Sequence, residues 1–314
     1  MFDNQVLGDQ KLILDPVHDG RHRLRAEPKA RESIPYLLNL PEHGIALFTY
    51  TWVNHASEAG AVMAVFGPGV GPQPIVEALP DRPVPADMDF SDWRLGDFQL
   101  SQDLKFDRAQ VRWKTAKVEL DLRFEAFHPP YAYGSDARGC MPYVADDRIE
   151  QSGRAVGTLK LGERTLSFDT TGHRDHSWGT RDWQVFQHYK WIHAQAGTDL
   201  SVHFWVVEAL GRTEYRGYVH KEGRMSLVTD VDFRFEYTGA LNPQRWSATV
   251  TDADGRLTKL DTEVFARFQL YPDPAYCLNE NAGAAVIDGK PGVAWLEIFF
   301  PEAYRQHIGE VGPY

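Results

Sequence analysis

Val118-Glu-Leu-Asp-Leu-Arg-Phe-Glu-Ala126 carries an apolar residue at every even position and a charged one at every odd position. A strand turns successive side chains to opposite faces, so this alternation buries one face and wets the other. It is the pattern of a half-buried antiparallel strand. Val231-Asp-Phe-Arg-Phe-Glu-Tyr237 repeats it. Trp246, Ala248 and Val250 continue it, and Asp254-Gly255 then gives a hairpin turn signal. Ile45 to Val53, Val202 to Val207 and Val293 to Phe300 are apolar on both faces, which predicts strands covered on both sides. Turn punctuation recurs at Gly67-Pro68-Gly69, Leu161-Gly162-Glu163, Glu222-Gly223 and Asp288-Gly289.

Helical period is scarce. Pro301 to Ile308 predicts one short helix with Pro in its first turn, and residues 27 to 34 a second. The chain is therefore expected to be all-β, made of antiparallel barrels or sandwiches. Residues 67 to 93, rich in Pro, Gly and Asp, predict a long surface connection. Pro129 to Asp147 predicts a long ordered loop of the kind that shapes binding sites. A length of 314 residues fits one large β domain or two ordinary ones. The junction is placed near residue 168, giving an N-terminal domain 1–168 and a C-terminal domain 169–314.

Composition narrows the function. The formal charge is -11, from 33 basic and 44 acidic residues, with no basic stripe, so no nucleic-acid partner is expected. Cys140 and Cys277 are too few for a disulfide framework and read as reduced thiols in a cytoplasmic protein. The N-terminal stretch has acids where a signal peptide would be basic, and no run of eighteen apolar residues predicts a membrane span. There is no G-x-G-x-x-G between a strand and a helix, no P-loop and no G-x-S-x-G, so no nucleotide cofactor is expected. Twelve His, nine Trp and thirteen Tyr suit a pocket for a hydrophobic molecule bearing a few oxygens.

One segment concentrates the chemistry: Gly172-His-Arg-Asp-His-Ser-Trp-Gly-Thr-Arg-Asp-Trp183. Charges of both signs beside Trp predict a polar network under an aromatic lid. An imidazole near a carboxylate can be held in one tautomer and serve as acid or base near neutral pH. Asp175 and His176 are the expected acid/base pair, with His173, Arg174 and Arg181 as further catalytic candidates and Trp178 as a wall. The competing reading makes the Arg–Asp pairs buried ion pairs that pin a strand crossing. No metal is expected, because His173, Asp175 and His176, with His188 or His193, match no closed zinc spacing and mix with Arg. In His188-Tyr-Lys-Trp-Ile-His193, alternation puts His188, Lys190 and Ile192 on one face. Tyr189, Trp191 and His193 share the other with Gln195, as a cavity wall would. Tyr131, Tyr133 and Tyr143 are expected at the cavity mouth. Glu150 is a further acid candidate, with a solvated strand edge as the favoured reading.

The run Gly-His-Arg-Asp-His-Ser-Trp-Gly-x-Arg-Asp-Trp, with Arg148-Ile-Glu-Gln-Ser-Gly-Arg154 and Phe168-Asp-Thr-Thr-Gly172 before it, resembles a family of uncharacterised bacterial proteins. That family is in turn similar to the carotenoid 1,2-hydratase (hydroxyneurosporene synthase) group and its tandem lipocalin-like relatives, among them fungal pericyclases of the Diels–Alder type and kievitone hydratase. The resemblance implies two tandem lipocalin-like β domains and cofactor-free addition or elimination of water, or cyclisation. No catalytic residue transfers one by one. Three functions stay open. The first is a cofactor-independent lyase, of hydratase, dehydratase or retro-aldol type, on a small hydrophobic hydroxylated molecule such as a terpenoid, steroid or aryl-propanoid. The others are an isomerase or pericyclase, and a lipocalin-like carrier. A homodimer also stays open.

Overall fold

The computed structural model describes residues 5–7, 10–12, 14–238 and 241–311. Of the N-terminal stretch read for a leader, residues 1–4, 8, 9 and 13 lie outside that set. The protein is all-β, in two antiparallel β domains. The compact units divide between Trp183 and Gln184, with 41–46 and 66–72 grouped into the second. The expected junction at 168/169 falls instead inside a continuous seventeen-residue strand.

The first unit follows an antiparallel path of ten strands. In chain order these are β3 (Ala30–Leu40), β4 (Ile45–Asn54), β5 (Glu58–Phe66), β6 (Ile75–Pro83), β7 (Trp93–Leu95), β8 (Phe98–Gln102), β9 (Arg108–Lys114), β10 (Val118–Ala126), β12 (Asp147–Leu161) and β13 (Arg164–Thr180). They lie in the order β6-β5-β4-β3-β13-β12-β10-β9-β8-β7, and β11 (Tyr131–Ala132) pairs off this path with β12. A hairpin of β1 (Gln5–Leu7) and β2 (Gln10–Leu12) stands apart. The alternating stretch 118–126 is β10, with Val118, Leu120, Leu122 and Phe124 buried. β6 occupies the middle of the Pro-rich stretch 67–93 and forms an edge strand, where Pro80 costs no ladder bond to a further neighbour.

The helix expected over 27–34 is a correction. Ala30 opens β3, a strand buried along nearly its whole length and paired with β13. Its Ala, Arg and Glu are helix formers, but the apolar run through Leu40 is covered on both faces, and packing overrides local propensity.

The second unit is a closed barrel of eight strands, β14 (Phe186–Ala196), β15 (Leu200–Ala209), β16 (Arg212–Lys221), β17 (Arg224–Thr238), β18 (Asn242–Asp252), β19 (Leu257–Asp273), β20 (Tyr276–Ile287) and β21 (Lys290–Pro301). Closure leaves no open edge. The interior is filled by Ile192, Val202, Phe204, Val219, Trp246, Leu296 and their neighbours. The hairpin at Asp288-Gly289 has both residues at positive φ, 48° and 79°, which the twist of the flanking strands requires. The helix expected from Pro301 is α1 (Glu302–Val311), beginning one residue later. No helix among the described residues is long and apolar enough to cross a membrane.

Candidate functional site

β13 carries the segment that the sequence singles out, and its register sorts the residues. His173, Asp175 and Ser177 face one side, while Arg174, His176 and Trp178 face the other. Asp175 and His176 therefore do not meet. Each joins a different buried cluster within the first unit.

The Asp175 side is built on Arg148 and Glu150 of β12. Arg148 donates from Nε to Glu150 Oε1 at 2.5 Å and from Nη2 to Asp175 Oδ2 at 2.6 Å. Glu150 also takes a bond from Tyr133 at 3.3 Å and faces His173 Nε2 at 2.9 Å. His173 Nδ1 is 2.9 Å from Ser152 Oγ. Glu150 is fully buried, so its reading as a solvated strand edge is corrected. Burial works against the Arg148 charge, yet Asp175 and Glu150 outweigh it and raise its pKa. Burial, with the charges of His128 and Arg148, holds His173 well below the usual imidazole range.

The opposite side holds two arrangements. Arg174 donates from Nη1 to Asp19 Oδ1 at 2.9 Å and to Gln102 Oε1 at 2.8 Å, and from Nε to Gln151 Oε1 at 3.0 Å. Its guanidinium carbon lies 6.0 Å from the ring centroids of both Phe106 and Phe124. Asp19 accepts a further bond from the Phe106 backbone at 2.8 Å. Arg174 pairs with Asp19 and not with Asp175, and so ties the segment before β3 to the sheet.

The second arrangement centres on Glu32 of β3. Its Oε1 lies 2.6 Å from His176 Nε2 and 2.7 Å from His22 Nδ1, and the His22 backbone N–H donates to both carboxylate oxygens. His22 Nε2 is 3.0 Å from His18 Nδ1. Trp178 stacks on His22 at 3.8 Å and on His18 at 5.2 Å, and meets His176 edge-on. Glu32 and His176 are buried, whereas His18 and His22 are half-buried. The row of rings thus runs from a buried carboxylate toward solvent. Burial raises the Glu32 pKa and lowers that of His176, so donor and acceptor approach each other in proton affinity. Burial, then the charge of His18, draws His22 down to about 4. His176 Nδ1 has no protein partner.

The ligand atoms of His22, Glu32 and His176 all lie within 4.8 Å of one another, a donor set able to hold a divalent ion. It differs from the set weighed in the sequence, since His173 and Asp175 face away from His176. His22 and Glu32 escaped sequence reasoning. Glu32 sat in the misread helix, and nothing local links either residue to position 176. The one local signal was the spacing of His18 and His22.

The remaining candidates are placed as follows. Arg181 donates to Val144 O and to Ser177 Oγ and covers Trp183, away from the Glu32 cluster's bonds. Tyr131 is buried against Tyr133, and half-buried Tyr143 accepts from the Asp182 backbone. Gly179 is required where it stands, because a Cβ there would lie 2.4 Å from the Asp146 backbone. Tyr189, Trp191 and His193 belong to the second unit. Their register partners point away from the apolar filling of the barrel, so they do not line its interior. Tyr189 stacks on Phe299 and bonds Glu297, Trp191 meets His193 edge-on, and His193 accepts from Gln195 at 2.8 Å. Two surface grooves, of 570 and 790 Å³, border neither these residues nor 173–183.

Residues 15–301 match the family described as a domain of unknown function, DUF7064. The chain belongs to this family. No curated protein matches this DUF7064 chain significantly. Solved structures match its fold. A putative AttH from Nitrosomonas europaea superposes with a TM-score of 0.65 at 13% identity, over 94% of this chain and 98% of that one. CghA gives 0.61 at 12% identity over 88% and 89%. Kievitone hydratase from Nectria haematococca gives 0.59 at 9% identity over 95% and 98%. The DUF7064 chain shares the architecture of these proteins.

Proposed function

We propose that the protein is a lipocalin-like enzyme of the hydratase or lyase type, acting on a small hydrophobic hydroxylated molecule, with Glu32, His176 and His22 as its proton-transfer centre. The observation that carries this is one buried carboxylate held by two imidazoles, with a third ring leading outward under Trp178. Adding or removing water needs one group that takes a proton and another that gives one, in a place from which bulk water is kept. Burial moves the proton affinities of Glu32 and His176 toward each other, and His18 and His22 offer a route for proton exchange with solvent. A structural neighbour named as a hydratase, and a CghA structure holding Sch210972, favour small-molecule chemistry on this architecture. Fold likeness alone does not choose the reaction. In this reading Asp175 is a partner that orients Arg148, rather than the acid or base.

The test uses the full-length protein and a panel of prenylated phenols and aryl-propanoids in water enriched in oxygen-18. Label entering or leaving one substrate class, lost in Glu32→Gln and His176→Gln variants that stay folded, supports the reading. Conversion without label exchange in both variants would point to an isomerase or pericyclase. Binding without conversion by the wild type would make the protein a carrier.

A further inference from the structure

The second unit holds a cluster that the proposed function does not use, and its test stands apart from that function. Lys190 of β14 lies in register with Val206 and Ile298, both part of the barrel filling, so its side chain enters the barrel. It is 8% exposed. Its Nζ sits 5.1 Å from the centroid of Phe233 and 5.3 Å from that of Phe235. His188 Nε2 is 2.6 Å away. The other nitrogen of that ring, Nδ1, is 2.7 Å from the Phe299 carbonyl oxygen. A carbonyl only accepts, so Nδ1 carries the proton and Nε2 turns its lone pair to Lys190. No carboxylate among the described residues forms an ion pair with this amine, and Glu208, exposed on the neighbouring strand, acts on it at longer range.

A buried amine without a counter-ion is costly, and Met would fill the same volume without that cost. Burial draws Lys190 down to about 8, and burial with the Lys190 charge draws His188 down to about 4. The first change populates a nucleophilic amine near neutral pH, and the second keeps the imidazole neutral as its base. Phe233 and Phe235 are only half-buried, so the apolar surface beside the amine is reachable.

We propose that Lys190 is an imine-forming amine and that this end of the barrel is a second binding site, taking a small hydrophobic aldehyde. The amine adds to the carbonyl carbon, forming the N–C bond as the π pair moves to oxygen. His188 Nε2 takes a proton from nitrogen and passes it to that oxygen. Water then leaves as the C–O bond breaks and C=N forms. Both amine hydrogens end on the water, and nothing is oxidised or reduced. The apolar body of the aldehyde rests on the two Phe rings that now face the ammonium.

The test treats the full-length protein with cinnamaldehyde and cyanoborohydride at neutral pH and locates the reduced adduct by peptide mass mapping. We expect the adduct on Lys190, formed at least ~10-fold faster than on exposed Lys105 or Lys114. His188→Gln should slow it by roughly 10-fold. Lys190→Met should abolish it, and Lys190→Arg, which keeps the charge, serves the same purpose should the Met variant not fold. Glyceraldehyde, lacking an apolar body, should label Lys190 no faster than the surface lysines. Adducts spread evenly with Lys190 unmodified would overturn the proposal. So would equal labelling of Lys190 by both aldehydes, which would mean an open amine without an apolar site.

Discussion

His176 Nε2 and Glu32 Oε1 lie 2.6 Å apart although 144 residues separate them. The contact exists because β13 and β3 are neighbours in the sheet, and both side chains are buried. The same oxygen serves His22, so three N–H groups converge on one carboxylate. Glu32→Gln keeps the shape but brings an NH₂ group toward these donors. It should lower turnover by roughly 10²-fold or more, the scale of losing a general acid or base. The folded state should persist, as checked by near-ultraviolet circular dichroism. Full turnover in a folded Gln variant would remove Glu32 from the chemistry.

Buried and half-buried imidazoles shape the acid limb of stability. His22, His188 and His220 are each drawn to about 4, in each case first by burial. Their unfolded values lie near 6.5, so between about 6.5 and 4 the unfolded chain binds more protons than the folded one. Stability should therefore fall as pH drops through that window, by on the order of a few kcal/mol for each group. Urea titrations at stepped pH would show it, and His220→Gln should flatten the slope by about one proton. Stability that is flat from neutrality down to about pH 4.5 would contradict the assigned burial.

The β framework was legible because period-two patterns such as Val118–Ala126 state their own secondary structure. Residues 27–34 were not, since Ala, Arg and Glu favour a helix and only pairing with β13 makes them a strand. The segment 173–178 was legible as a buried polar network. Its pairing was not. Alternation alone separates Asp175 from His176, but no local pattern joins His176 to Glu32 or Arg174 to Asp19. Glu150 illustrates the same limit, because an acid with Arg148 and Ser152 on its own strand face reads as wet until β13 and Tyr133 cover it.

Arg174 and Asp19 meet at 2.9 Å with both side chains almost wholly buried. Removing one partner leaves the other charge stranded, which costs about 3–5 kcal/mol. Arg174→Met should therefore lower the melting temperature sharply, while the double change Arg174→Met with Asp19→Leu should recover much of the loss. A thermal melt of the single and double variants decides it. A loss in the double variant equal to the sum of the losses in Arg174→Met and Asp19→Leu alone would mean that the pair contributes no coupling.

His22, Glu32 and His176 supply three donors, yet chelation is expected to leave the melting temperature unchanged. A single carboxylate offsets only half of a divalent charge, and Arg174 and Arg21 act on His176 and Glu32 respectively. The carboxylate is already bonded by both imidazoles and a backbone N–H. Elemental analysis before and after EDTA checks this. Stoichiometric zinc or iron whose removal lowers the melting temperature would make the cluster a metal centre instead.

Asp175 separates the two readings of the central segment. Its carboxylate accepts from Arg148 Nη2 at 2.6 Å, and Arg148 also holds Glu150 at 2.5 Å. Asp175→Asn leaves an oxygen to accept from Arg148 and removes one negative charge from a cluster that holds two carboxylates around one guanidinium. The cost should be that of a charge-assisted hydrogen bond weakened to a neutral acceptor, about 1–3 kcal/mol. Turnover should stay within about fivefold of the wild type, because in this arrangement Asp175 moves no proton. Glu150→Gln should cost more, since Glu150 holds Arg148, Tyr133 and His173 together. Melting curves and turnover of the two variants, measured side by side, give the answer. A fall in turnover of about 10²-fold in Asp175→Asn with an unchanged melting temperature would return the acid or base role to Asp175 and move the reaction to the opposite face of β13.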